Sequence, residues 1–416
     1  MTSLNAGVIA VRLFISLFIQ RMLAEMVGEA GISKIGQLRN LVQMLTSLAS
    51  VGIFSGVVKY VSEYKEDSAQ LQKLFSTSFV FTLFGSVISG VVLFLWANGL
   101  SERLFTTTDY AYVIKLVAII VPAVAILRVF TAVVHGLTLY KKFAKIDLFG
   151  YLASSVLLVY FLWEYNIDGA LVAIAITPVL QLLTLLVIFF GTLREYIRFR
   201  QLSFRTPMAK SLLAFSLMSF FSTVLLNYVE IDVRTMIIHK ITEEDAGIWT
   251  AMTNISKNYM VFSTAIFSLY VLPKFAGIHT ENGFRKELWN IYKTLLPLFG
   301  VGMVVVYFMR DIIIQLIYPD FTEMAPLFKW QLLGDFIKLA SLILAHQFLA
   351  KKMVRNFIVS EVVSLGLFFF LAHYLADIYG VEGVVIGHFL RFFIYFFVVL
   401  LLVLRYFRNK RREVRA

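Results

Sequence analysis

Long apolar runs separated by short polar segments dominate this chain. Each run is about 20 residues, the length a helix needs to cross a hydrocarbon layer about 30 Å thick. Blocks such as 79–95 and 367–375 lack the period-two alternation of a transmembrane strand. The pattern therefore predicts an all-α membrane protein with about 12 spans, near 4–27, 32–60, 73–98, 111–137, 143–163, 167–192, 209–238, 245–273, 284–309, 322–350, 353–376 and 380–404. The first stretch is interrupted by Arg12, Gln20 and Arg21. It lacks the basic start and compact apolar centre of a signal peptide and reads as a helix of the mature protein. The longest connections, 193–208 and 99–110, are too short to fold alone, so function must lie within the membrane.

Composition agrees. Of 416 residues, 59% are hydrophobic and only 15% charged, which rules out a string of soluble domains with charged surfaces. Cysteine is absent, excluding disulfides, thiolate metal sites and a cysteine nucleophile. The net charge of +12 would suit nucleic acid, but its placement points elsewhere. Basic residues crowd alternate loops, as at Lys141, Lys142 and Lys145, or Lys351, Lys352 and Arg355, and fill the tail after Arg405. The opposite loops hold only Arg103, Lys240 and Arg310. This is the positive-inside signal, predicting cytoplasmic N- and C-termini and attraction to anionic membrane lipids, with no nucleic-acid partner.

The chain also repeats itself weakly. Glu29-Ala30-Gly31-Ile32 recurs as Asp245-Ala246-Gly247-Ile248, and Ile53-Phe54-Ser55 as Ile266-Phe267-Ser268. Arg128, Lys141-Lys142 and Lys145 recur as Lys338, Lys351-Lys352 and Arg355. An offset of 210–216 residues is six spans, an even number, so the halves keep the same orientation. Two parallel six-helix lobes are expected, 1–192 and 209–404, joined by a cytoplasmic linker at 193–208 and followed by a basic tail, 405–416.

Charges inside spans are costly, at least about 2.5–3.5 kcal/mol at the bilayer centre, and so need a reason. Cations predominate: Arg12 and Arg39, Arg128 with Thr131 and His135 on one face, Arg234, Lys257, Lys338 and Arg391. The acids are Glu230, Asp232, Asp335 and Glu361. Snorkelling to the interface suits Arg21, Lys115 and Arg391. Arg12, Lys257 and Lys338 lie about 13–24 Å from a span end at 1.5 Å per residue, beyond easy reach of the interface. Pairing within a helix is open to Glu230 with Arg234 and to Asp335 with Lys338. The remaining excess of cations predicts a wet cationic cavity for a large anion such as a phosphate or pyrophosphate, which arginine forks bind well.

The sequence resembles the Wzx-type polysaccharide flippases of the multidrug/oligosaccharidyl-lipid/polysaccharide exporter superfamily, which serve O-antigen and enterobacterial common antigen (lipid III) synthesis. The likeness runs through Gly52-Ile53-Phe54-Ser55-Gly56-Val57-Val58-Lys59-Tyr60-Val61, Thr108-Asp109-Tyr110, Gly247-Ile248-Trp249, Leu272-Pro273 and Trp330-Gln331-Leu332-Leu333-Gly334-Asp335-Phe336-Ile337-Lys338. Arg39, Arg234, Glu361-Val362 and Ala372-His373 match as single positions, and Arg12 stands where a lysine is found. In span 8, Asn254-Ile255-Ser256-Lys257 replaces Ser-Ile-Ser-Asp, a charge reversal.

The resemblance implies translocation of an undecaprenyl-pyrophosphate-linked oligosaccharide from the cytoplasmic to the periplasmic leaflet of the bacterial inner membrane, by alternating access. On this reading Arg12, Arg39, Arg234 and Lys257 hold the substrate between the lobes, with Arg128 and Lys338 deeper. Asp335 or Glu361 serves coupling to H+ or Na+, and no other cofactor is expected. The protein would act as a monomer, alongside the polymerase and chain-length regulator of its pathway. Two rivals remain. A lipid II flippase or multidrug exporter shares the architecture, although a basic cavity disfavours cationic drugs. A membrane glycan polymerase or ligase would need a sizeable extramembrane loop, and none is apparent.

Overall fold

The computed structural model describes residues 2–278 and 280–415, and every regular element among them is helical. The first six α-helices are α1 (Thr2–Leu48), α2 (Phe54–Tyr64), α3 (Ser68–Leu95), α4 (Ala97–Phe105), α5 (Ala111–Gly136) and α6 (Tyr140–Tyr196). Then come α7 (Ala209–Ser219), α8 (Leu225–Lys240), α9 (Glu243–Ile266) and α10 (Leu272–Gly277). The last four are α11 (Glu281–Phe308), α12 (Arg310–Ile317), α13 (Leu327–Ala350) and α14 (Val354–Arg415). Side chains supply some of the start signals. The Asp67 carboxylate accepts from the amides of Ala69 and Gln70, each at 3.0 Å, and Thr280 Oγ1 accepts from Gly283 N at 3.2 Å.

Among the described residues, seven helical stretches are long and apolar enough to cross a membrane by length and composition. Large apolar side chains lie bare on them; Val187 is 87% exposed, which is tolerable only in lipid. The protein is a multi-pass membrane protein.

The 57 residues of α6 and the 62 of α14 would each extend far beyond one hydrocarbon layer, and each is folded back at one residue. In α6 the break is Asn166 (φ 51°, ψ −132°); in α14 it is Gly380 (φ 60°, ψ −142°). Three residues past each break sits a glycine, Gly169 or Gly383, where a Cβ would overlap the carbonyl oxygen of Phe161 or Leu375 respectively. The turns entering these helices match too, with positive φ at Thr138 (56°) and Lys352 (54°). All three features recur 214 residues apart, inside the repeat interval read from the sequence. Gly28 (φ 64°) makes the corresponding break in α1, between the predicted spans 4–27 and 32–60.

The predicted span 32–60 is not one continuous helix. It stops at Leu48 and restarts at Phe54, because Val51 (φ 51°) and Gly52 (φ 65°) turn the backbone left-handed. α7 packs at this break: a Cβ on Gly52 would meet Ser219 Cβ at 2.9 Å, and the hydroxyls of Ser47 and Ser219 share a 2.7 Å hydrogen bond. Two π-helical turns, Phe220–Val224 and Phe267–Val271, interrupt the predicted spans 209–238 and 245–273. The second immediately precedes Leu272-Pro273, where proline removes an N–H from the helical ladder.

Packing divides the chain into two compact units, Met1–Ile231 and Asp232–Ala416. By packing, α7 and the start of α8 go with the first unit, beyond the 193–208 linker. The first unit buries Ile53 and, from α2, Val57 and Val61 against Leu74 and Phe75 of α3, Val133 of α5, Phe189 of α6 and Leu212 of α7. Gly56 and Gly136 let these helices approach closely, their Cβ positions being filled by Leu212 and Val61.

Candidate functional site

Each helix around the centre of the first unit carries one polar stripe at helical spacing. In α1 the stripes are Arg12, Ser16, Gln20 and, past the Gly28 break, Arg39, Gln43, Thr46. In α5 the stripe is Arg128, Thr131, His135; in α6 it is Asp147, Tyr151, Ser154 and Ser155, then Thr177 and Gln181 after the turn. Together they line a cavity of about 770 Å³. That volume suits a phosphate-bearing headgroup rather than a single ion.

Its charges are arranged. Arg12 donates from Nη1 to Asp147 Oδ2 at 2.5 Å, and its guanidinium lies 4.7 Å from the centre of the Tyr151 ring. The Arg128 guanidinium stacks 3.7 Å from the Phe54 ring centre, a cation–π contact worth about 0.5–2 kcal/mol that spares it a bare apolar wall. His135 meets Phe54 edge-on at 5.8 Å and lies 4.3 Å from the Phe143 ring. The lining thus holds three guanidiniums against one carboxylate. Arg12 therefore has an acidic partner, Asp147, that the inventory of intramembrane charges omitted.

The other candidates belong to the second unit and form separate arrangements there. Arg234 is almost fully buried, donating from Nε to Thr250 Oγ1 at 2.7 Å with its guanidinium 5.0 Å from the Trp249 ring. Lys257 is exposed on α9. Asp335 is wholly buried and tied to three helices: Oδ2 accepts from Ser256 and Tyr259 of α9, each at 2.5 Å, and from Gln331 Nε2 of α13 at 3.0 Å. Its Oδ1 lies 3.1 Å from His388 Nε2 of α14 and 3.8 Å from Lys338 Nζ. The Asp335–Lys338 pair expected from their spacing is therefore present. Gly334 makes the His388 contact possible, since a Cβ there would stand 2.6 Å from His388 Cδ2.

Glu361 lies 3.5 Å from the Tyr395 hydroxyl. Arg391 does not snorkel: it is buried, donates to Ser364 Oγ at 2.7 Å and lies between the Phe368 and Phe392 rings. Facing aromatic rings and a hydroxyl partner hold it inside. Glu230 of the first unit accepts from Asn40 Nδ2 at 3.1 Å.

Of the cations expected to hold substrate, Arg12, Arg39 and Arg128 line one cavity, whereas Arg234, Lys257 and Lys338 lie in the second unit. Reasoning on single residues missed Asp147, Tyr151, Gln43 and Gln181, and it missed His388 beside Asp335. Two signals could have found them: the stripe Asp147, Tyr151, Ser155 at four-residue spacing, and the repeat, because Asp147 precedes Glu361 by 214 residues.

All-helical units with these turns have counterparts among solved transporters. An inward-facing MATE family transporter of the MOP superfamily superposes with a TM-score of 0.72 over 96% of this chain and 97% of that one, at 11% identity. The lipid II flippase MurJ, in an inward closed conformation, gives 0.75 over 96% and 87%, at 14% identity. The fold is that of the MOP-superfamily carriers. A polysaccharide biosynthesis protein profile matches residues 14–326, and the chain belongs to that family. The lipid III flippases of Escherichia coli (strain K12) and Shigella flexneri are each 28% identical over 390 residues, 93% of this chain and 93% of theirs. Both relatives are named as flippases, a class of transporter.

Proposed function

We propose that this protein is a flippase that carries an undecaprenyl-pyrophosphate-linked oligosaccharide from the cytoplasmic to the periplasmic leaflet of the bacterial inner membrane, for surface polysaccharide synthesis. The observation that carries this reading is the cavity of the first unit, with Arg12, Arg39 and Arg128 against the single carboxylate of Asp147. A pyrophosphate offers several anionic oxygens, and planar guanidiniums can each bridge two of them. Gln43, Gln181, Tyr151 and the serines add neutral donors and acceptors of the kind sugar hydroxyls use. The prenyl chain needs no pocket, because lipid accommodates it. Likeness to lipid III flippases over nearly the full length supports this substrate class.

In this mechanism Asp147 is the resting partner of Arg12, and the incoming phosphate competes for that guanidinium. Binding exchanges one ion pair for another, so the cationic cavity is not left bare when empty. We read the chain as twelve crossings in two parallel lobes of six, both termini cytoplasmic, working by alternating access. The 214-residue recurrence of the turns at Asn166 and Gly380 supports that reading. For coupling, the candidates are Asp335, wholly buried, and Glu361, partly buried. The ammonium of Lys338 beside Asp335 disfavours a metal cation there and favours H+.

The test is transport into the outer leaflet of proteoliposomes carrying a short prenyl-pyrophosphate-linked oligosaccharide. Replacing Arg39 and Arg128 together by Gln should slow transport at least about 10-fold, the effect of losing roughly 1.4 kcal/mol of phosphate binding. Unchanged rates in that variant would dismiss the cavity. A multidrug exporter is the weaker reading, since three arginines repel cationic drugs.

A further inference from the structure

A second basic cavity lies outside the candidate substrate site, at the end of the second unit where α14 begins and finishes. It has a volume of about 550 Å³ and is lined by Arg355, Arg405 and Lys410, with Asn356, Asn409 and Tyr406, and on its apolar side by Met353, Val359 and Leu402. None of these lining residues is acidic. Because α14 folds back at Gly380, its first turn and its last turns lie at the same end, which brings Arg355 to Arg405 and Lys410.

Three features point to one kind of ligand. First, the cations converge from both halves of α14, and a further one crowds them: partial burial and the charge of Lys410 hold the Lys351 ammonium below its usual pKa. Like charges packed this closely favour an anion among them. Second, α14 starts at Val354, so the amides of Arg355 and Asn356 belong to a first turn with no intrahelical carbonyl partner, at the positive end of the helix dipole. Third, the apolar part of the lining continues onto a bare apolar face: Val359 is 42% exposed and Leu401, next to the lining residue Leu402, is 65% exposed. A free inorganic anion has no use for that face, whereas an amphiphile with a phosphate and an acyl chain matches both parts. Tyr406 at the boundary is the residue type that sits at headgroup depth.

We infer that this cavity is a binding site for the phosphate of an anionic phospholipid of the membrane, separate from the transported substrate. Arg355, Arg405 and Lys410 hold the phosphate, and the acyl chains lie along Val359 and Leu402. Such a lipid would tie the two halves of α14 together at the end where their charges repel. Basic pockets between membrane helices bind anionic headgroups in this manner.

Native mass spectrometry of the full-length protein, purified and loaded with phosphatidylglycerol or phosphatidylcholine, tests this. Phosphatidylglycerol should be retained in preference to phosphatidylcholine. Arg355→Gln should weaken its binding about 5-fold, and Arg355→Gln with Arg405→Gln about 30-fold, as expected for about one surface-charge interaction each. Arg408→Gln, an exposed cation of the same helix that does not line the cavity, should leave binding unchanged. Equal loss in that control would reduce the effect to the general charge of the tail and overturn the site. Retention unaffected by the double variant would overturn it as well. Displacement of the lipid by millimolar inorganic phosphate would show a simple anion site and remove the lipid from the account. The double variant should keep a substantial share of proteoliposome transport, whereas Arg39→Gln with Arg128→Gln should lose transport and keep the lipid. Failure of one site is therefore distinguishable from failure of the other.

Discussion

At the scale of single residues, the acids say most. Asp147 is the sole carboxylate in a cavity with three arginines, and it holds one of them. Replacing it by Asn removes the internal competitor for Arg12, so a soluble pyrophosphate probe should bind about 5-fold more tightly, a gain of roughly 1 kcal/mol, readable by calorimetry. Turnover should fall, because release slows with tighter binding. Asp335 behaves differently. Its carboxylate accepts from Ser256, Tyr259 and Gln331 and also pairs with His388 and Lys338, on three helices in all, and its removal takes the acidic partner from buried His388. Asp335→Ala should cost about 3–5 kcal/mol, the usual penalty for breaking a buried pair, and lower the melting temperature in detergent by several degrees. Asp335→Asn keeps one carbonyl oxygen and should cost less. Equal melting of all three proteins would show that the cluster contributes nothing to stability.

At the scale of elements, much of the helical pattern was legible because lipid imposes it: backbone groups must be satisfied within each span, and hydropathy marks each span directly. What hydropathy cannot register is a backbone break inside an apolar run. The Val51-Gly52 turn, the π-helical turns and the halt at Leu48 all lie in such runs. Asp147 escaped notice for a related reason, since it lies two residues from Lys145 and reads as part of a charged loop until α1 brings Arg12 to it.

The turn geometry of α6 and α14 makes its own predictions. Asn166 holds a conformation for which its counterpart is Gly380, so Asn166→Gly should relieve strain and stabilise the protein by about 1 kcal/mol. Gly169→Ala and Gly383→Ala should each cost about 3 kcal/mol or more, since the added carbon would overlap the backbone carbonyl of Phe161 or Leu375. Folded yield by size-exclusion chromatography checks all three, and normal yield from either alanine variant would contradict the close approach.

At the scale of the whole molecule, two facts constrain what the protein can do: few residues lie outside helices, and polar groups gather inside them. Charge placement could be read from the sequence because a buried arginine in a span is rare enough to be informative. The company each charge keeps could not, because it depends on which helices face one another. Arg12 and Arg39, on either side of the Gly28 break in α1, and Arg128 of α5, about 90 residues further on, line one cavity. Arg234 and Arg391 look equally exceptional in sequence, yet each is enclosed by aromatic rings and hydroxyls in the second unit.

The central claim is that this cavity carries a prenyl-pyrophosphate-linked glycan across the bilayer. The most direct measurement is the rate at which such a lipid, labelled on its sugar, becomes accessible to an impermeant lectin outside proteoliposomes containing the purified protein. The account predicts rapid appearance with the native chain and at least about 10-fold slower appearance with Arg39→Gln and Arg128→Gln combined. Appearance no faster than in protein-free liposomes, or undiminished in the double variant, would contradict it.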